Sequence, residues 1–388
     1  MPDMKTTRRR FLKGAGAAAA TLGASALLPK PGHAADRALH LNCWDGYSDP
    51  RLHDKFLEEQ GTRIKAELLI SDPDAINRLR AGEIKVWDII NLNQPWARQI
   101  MWPEGLIRDI PKDRFEPYFE KMLPEFQPPF YWASSEDGEH LLGVCQRFDT
   151  GEFVINSDVI DWRTAQEVGW DLFNDKANAG RIGMLAYDNW NIMNACMGAG
   201  VDPFKPHSEE EIASFDKTIH NWMNATKFIS DDFVQMNLAM VNGEIDLYYV
   251  GSTYTCSGAR LDGLWNLLAI TPASGPSNGR GGINWIELTS VVNNPDLHPK
   301  ALDFLEFILQ PEIAYIVGTA DGLLQPVAQM SQPEVLNRYT KDQLRAIQYD
   351  DPNGLQWRLD HAAQMDINPD YDLMYEIYLD AKRAREAA

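Results

Sequence analysis

The sequence predicts an α/β chain folded as two lobes joined by two hinge crossings. Short apolar strand patterns alternate with helical patterns between Ala38 and Glu104, and a second alternation begins at Arg181. Two segments rich in turn-forming and aromatic residues, Gln146–Asn156 and Gly281–Glu287, lie where the chain would pass from one lobe to the other and back. Alternation at this spacing is the signature of a parallel sheet with helices on its faces. A chain of 388 residues is long enough for two such units, each with its own core.

At the amino terminus, Lys5, Arg8, Arg9, Arg10 and Lys13 precede an Ala-rich, weakly apolar stretch from Gly14 to Leu28. This is the layout of a secretory signal, and Arg8-Arg9-Arg10-Phe11-Leu12-Lys13 resembles the bacterial twin-arginine export motif. Gly32 and Ala34 supply the small residues a signal peptidase needs, so residues 1–34 are expected to be removed and the rest to reach the periplasm. The apolar stretch falls short of the roughly 20 residues that span a bilayer.

The first lobe then opens with a predicted strand at Ala38–Cys43, followed by Trp44-Asp45-Gly46-Tyr47 and a helix at Pro50–Gln60. Strand Ile64–Ile70, helix Pro73–Ala81, strand Trp87–Asn91 and helix Pro95–Glu104 repeat the unit. Strand Leu141–Val144 leads into the first crossing. The second lobe contributes strand Arg181–Ala186, running into Tyr187-Asp188-Asn189-Trp190-Asn191, and strand Ile245–Val250. Strand Leu288–Asn293 and an amphipathic helix at Pro299–Leu309 follow the return crossing. The expected division is 35–147 plus 286–322 for the first lobe and 148–285 plus 323–388 for the second. In open α/β sheets ligands sit beyond the carboxyl ends of the strands. Those ends here carry Trp44, Asp45 and Tyr47, and also Asn93 and Trp96.

Without residues 1–34 the charged residues become 30 basic against 55 acidic, a net charge near −25. Such a surface repels nucleic acid and anionic lipid, and it favours a monomer that attracts cations. The four cysteines, Cys43, Cys145, Cys196 and Cys256, lack metal-ligand spacing. They suit either buried small apolar positions or one or two disulfides. No metal site is expected from the eight dispersed histidines. No haem-attachment, dinucleotide-binding or nucleophile-elbow motif occurs, so neither a cofactor nor a catalytic residue is expected.

The order Trp44-Asp45-Gly46-Tyr47, Asn242-Gly243-Glu244-Ile245-Asp246-Leu247, Gly282-Ile283-Asn284-Trp285-Ile286-Glu287, then Ala301-Leu302-Asp303-Phe304 through Pro311-Glu312, resembles the spermidine/putrescine-binding family of periplasmic solute-binding proteins. The resemblance implies a periplasmic-binding-protein clamshell that closes on a small solute and docks with an inner-membrane ABC permease. It implies that Trp44 and Tyr47 form an aromatic pair, that Trp285 and Glu287 supply an aromatic and a carboxylate at the return crossing, and that Asp188 supplies a second carboxylate. Aromatic faces hold ammonium groups at about 0.5 to 2 kcal/mol each. Carboxylates fix the charged ends through charge-assisted hydrogen bonds.

Two positions depart from that family: Asn191 stands where a further carboxylate is expected, and Gly251 stands where a tryptophan usually ends the strand. Arg147 near the first crossing and Arg358 beside Trp357 are further candidates, and an arginine in the cleft would favour a ligand carboxylate. An amine-bearing zwitterion or another nitrogenous metabolite therefore stands beside a polyamine. The same residues also suit plainer roles: the aromatics in core packing, Asp188 as a helix cap, the arginines in ion pairs. An exported glycosidase using Asp188 and Glu287 is the alternative from another class. A ligand-sensing partner of a membrane receptor is a third role the same fold would serve.

Overall fold

The computed structural model describes residues 37–128 and 130–387. The expected export signal, residues 1–34, lies outside the described residues.

The apolar alternation of the amino-terminal third builds β1 (Leu39–Cys43), β2 (Ile64–Leu68) and β3 (Ile89–Asn93). β1 lies between β2 and β3, parallel to both. Asp49 starts the helix Pro50–Gln60 by accepting a hydrogen bond from the Arg51 amide, and Gly61 ends it in the left-handed region. Ser71 caps the helix Asp72–Arg80 in the same way. β4 (Ile107–Arg108) is a two-residue edge element.

β5 (Val144–Thr150) and β6 (Glu152–Asn156) meet at Gly151, where the chain leaves the first sheet for the second. β7 (Ile182–Leu185), β8 (Thr226–Ser230), β9 (Leu247–Gly251) and β10 (Leu267–Ile270) complete the second sheet with β6, in the order β10-β6-β9-β7-β8. β11 (Gly282–Val292) returns to the first sheet and pairs there with β3, β4, β5 and β12 (Ala362–Gln364).

Both sheets are mixed rather than parallel. β11 runs antiparallel to β3 and β5, and β6 runs antiparallel to β9 and β10, because strands that carry the chain between lobes must run back against their neighbours. Gln146-Arg147-Phe148-Asp149, expected as a connecting segment, is strand, and it is buried throughout. Buried on both faces yet carrying polar side chains, it shows neither alternation nor an apolar run. The helix expected at Pro95–Glu104 is a single turn, Gln94–Trp96, followed by a π-type segment at Ala97–Met101.

Two apolar cores result, one per sheet. Ile283 and Trp285 belong to the second core and Ile286 to the first. The segment 323–388, expected in the second lobe, is shared between the two: Gln348, Asn353 and Trp357 hydrogen-bond to Ala269 and Thr271 at β10. Leu324, Val327, Met330, Val335, Ile347 and Leu359 pack in the first core, and the switch comes at Met365, before the helix Tyr371–Glu386. Val327 bridges Arg147 on β5, which ties this segment to the first sheet. All four cysteines are buried free thiols.

Candidate functional site

A cleft of about 730 Å³ opens between the lobes. Trp44 and Asp45 reach it from the end of β1, Asp72 and Asn93 from the region of β2 and β3, and Arg147 and Glu287 from the crossing strands. The second lobe contributes Tyr187, Asp188 and Trp190 at the start of the helix Asp188–Gly198, Phe233 from the helix Phe233–Val241, and Tyr254 behind β9. Trp285, Gln325, Tyr371 and Tyr375 complete the wall. Trp44, Asp45, Asn93, Tyr187 and Tyr254 stand at or just past strand ends, whereas Arg147 and Glu287 lie within β5 and β11.

At its floor, Arg147 donates from Nε to Glu287 Oε2 at 2.9 Å and from Nη2 to Oε1 at 2.7 Å. Both side chains are 3% exposed. The guanidinium lies over the Tyr47 ring, 5.3 Å from its centroid, and 3.4 Å from Asp45 Oδ1. Burial weakens the hold of Arg147 on its proton, but the carboxylates of Glu287 and Asp45 more than offset it and push the guanidinium above its usual range. Glu287 is thus already paired. Asp45 is different: its side chain is 49% exposed, and its firm hydrogen bond is from the Gly46 amide at 2.8 Å.

Asp72 accepts hydrogen bonds from Asn93 Nδ2 at 2.7 Å, the Asn93 amide at 3.3 Å and Trp96 Nε1 at 3.1 Å. Burial pushes its carboxyl up to about 6 in spite of those donors. Asp188 accepts from the Tyr378 hydroxyl at 2.8 Å and lies 3.7 Å from Lys382 Nζ. The rings of Phe233, Tyr254 and Trp285 meet edge to face, with centroids 6.3 and 6.1 Å apart. Aromatic faces beside an open carboxylate form a place for a cation.

Of the residues singled out from sequence, Trp44, Asp45, Asn93, Asp188, Trp285, Glu287 and Arg147 are brought together around the cleft. Four are not. Tyr47 is fully buried in the first core beneath Arg147. Trp96 packs against the same core and holds Asp72 from behind. Asn191 is fully buried and donates to the Leu185 carbonyl and the Tyr378 hydroxyl, being one helical turn past the residues that face the opening. Arg358 is fully buried; its Nη1 donates to the carbonyls of Gln348 and Asn353 and its Nη2 to that of Ile347, so it braces a loop. Gly251 lines the cleft, but a Cβ there would come within 2.7 Å of Val154 Cγ2, so β6 fills the space a larger side chain would need.

Sequence reasoning passed over Asp72, Tyr187, Trp190, Phe233, Tyr254, Gln325, Tyr371 and Tyr375 as site residues. The signal available for Tyr187, Trp190 and Tyr254 was an aromatic directly after a second-lobe strand. Tyr371 and Tyr375 carried no such signal, because they come from the far end of the chain. Among the described residues no group of three or more His, Cys, Asp or Glu side chains is placed to share a metal ion.

Residues 51–374 match the profile of a family described as bacterial extracellular solute-binding protein. The spermidine/putrescine-binding periplasmic protein of Salmonella typhimurium is 24% identical over 341 residues, which covers 81% of this chain and 86% of that protein. Among solved structures, the spermidine/putrescine ABC transporter substrate-binding protein of Streptococcus pneumoniae, in complex with calcium and HEPES, superposes with a TM-score of 0.65 at 16% identity. The match covers 90% of this chain and 99% of that one. The PBP MotA of A. tumefaciens B6, in complex with glucopine, superposes with a TM-score of 0.60 at 13% identity, covering 89% and 99%.

Proposed function

The chain belongs to the bacterial extracellular solute-binding protein family, and we propose that it captures a polyamine or a related small nitrogenous cation for an ABC importer. The observation that carries the ligand class is the cleft itself, where aromatic rings from both lobes line the same cavity as an open carboxylate, Asp45. The spermidine/putrescine-binding relative, at 24% identity, supports the same class.

In this reading the open clamshell admits the solute between the lobes. Trp44 faces Tyr187, Tyr254 and Trp285 across its apolar body, and Asp45 holds the charged nitrogen. Trp190 and Asp188 border the other end of the cleft. Arg147 and Glu287 neutralise one another beneath the floor, so the arginine fork that would suit a ligand carboxylate is already taken. That favours a cation over an amine-bearing zwitterion. Closure then presents both lobes to a membrane permease, with the exported protein acting as a periplasmic monomer that performs no catalysis.

A thermal-shift screen of the chain from residue 35 onward, against polyamines, amino acids, betaines and sugars, tests the reading. A ligand that binds only the folded state raises its melting temperature. Stabilisation by amines is expected. A response to a sugar or dicarboxylate with none to any amine would overturn it.

A further inference from the structure

Five charged side chains line the described cleft: Asp45, Asp72, Arg147, Asp188 and Glu287. Four of them are engaged within the protein. Glu287 is closed on Arg147 through two hydrogen bonds. Asp72 is surrounded by the three donors of Asn93 and Trp96. Asp188 is held by the Tyr378 hydroxyl and faces Lys382, which the helix Tyr371–Glu386 brings against it.

Asp45 remains half exposed, and its contact with Arg147 is a long one at 3.4 Å. Tyr187 and Tyr254 line the same cleft from the opposite lobe. One further polar group waits in the cleft. Gln325 is 5% exposed, and its Oε1 has no hydrogen-bond partner among the described residues. That oxygen is an acceptor, and a solute hydroxyl or amide N–H satisfies it without the cost of stripping water from a charge.

We propose that the cleft selects a solute with a single cationic nitrogen, seated on Asp45, and a neutral hydrogen-bonding group that donates to Gln325. This rests on the reading of the cleft as an amine site and narrows it. A second ammonium would have to be stripped of water beside Asp188, where Lys382 Nζ, 3.7 Å away, already offsets part of the carboxylate's charge. Lys382 thereby acts as a specificity determinant from outside the cleft lining.

Calorimetric titration of the chain from residue 35 onward with two ligands of equal length, 4-aminobutanol and putrescine, is the test. The aminoalcohol is expected to bind at least as tightly as the diamine. Putrescine binding about tenfold or more tightly would overturn the proposal while leaving an amine-binding protein in place. Failure of both, with a sugar or dicarboxylate bound instead, would overturn the amine reading as well. In the Lys382→Ala variant the diamine should gain on the aminoalcohol by about three- to tenfold. This is a gain of binding that a folding defect would not produce, and an unchanged ratio would overturn the role of Lys382.

Discussion

Glu287 and Arg147 form an ion pair with almost no access to water. Removing one partner from such a pair strands the other charge in a medium that solvates it poorly, typically at about 3 to 5 kcal/mol. Glu287→Gln is therefore expected to lower folding stability by roughly 3 kcal/mol in urea melts. The double variant Arg147→Met, Glu287→Leu should recover most of that loss. The effect of Glu287→Gln on cation binding then follows from an uncovered guanidinium beside the ligand rather than from a lost direct contact. Asp45→Asn makes the opposite pattern. Because its carboxylate is half exposed, melting of the free protein should be unchanged, while affinity for a cationic ligand in calorimetry should fall about tenfold or more, given roughly 1.5 to 3 kcal/mol for a charged hydrogen bond. Composition made the acids and aromatics at strand ends visible, but it did not reveal that Arg147 would neutralise Glu287. The two are 140 positions apart and meet because β5 and β11 pair.

At the scale of elements, the two crossings come together where β6 leaves β5 and β11 begins. A Cβ on Gly282 would fall 2.0 Å from Glu152 Oε1 and 2.8 Å from Thr271 Cγ2, both fully buried. Gly282→Ala should destabilise the fold by about 1 to 3 kcal/mol through overpacking, measurable as a lower urea midpoint at unchanged slope. The helix Asp72–Arg80 carries a pH-dependent contribution. Burial raises the Asp72 carboxyl from 3.8 to about 6, so the folded state binds the proton more tightly than the unfolded chain does. Stability from this group is complete below about pH 4 and is lost as pH rises through about 6. The stability difference between the wild type and Asp72→Asn should therefore move against the wild type by roughly 2 to 3 kcal/mol across that interval. Strands β1, β2, β7 and β9 and the helix Ala301–Ile308 follow apolar periodicity that the sequence displays, within two residues at each end. β5 was only partly legible, since a strand buried on both faces with Gln146, Arg147 and Asp149 inside it has neither alternation nor an apolar run.

For the whole molecule, the cleft lies between two separate cores linked by crossing strands, so the motion available to it is a change in the angle between lobes. Small-angle scattering should show the radius of gyration fall when a saturating amine is added. At a ligand concentration of about 100 times Kd, the folded state should gain about 2.7 kcal/mol. By itself the sequence determined the α/β class, the two lobes with their crossings, and seven residues that border the cleft, because strand and helix periodicity and the residues that end each strand are local properties of the chain. Tertiary structure alone decided that Tyr47, Trp96, Asn191 and Arg358 turn away from the cleft, that apolar side chains between Leu324 and Leu359 join the first core while Gln348 and Asn353 pair with the second lobe, and that Tyr371 and Tyr375 reach the cleft from the final helix. It also decided which carboxylate stays open to a solute. These outcomes depend on which side chains meet across long sequence separations, and burial and pairing at those meetings set the charge that a ligand encounters.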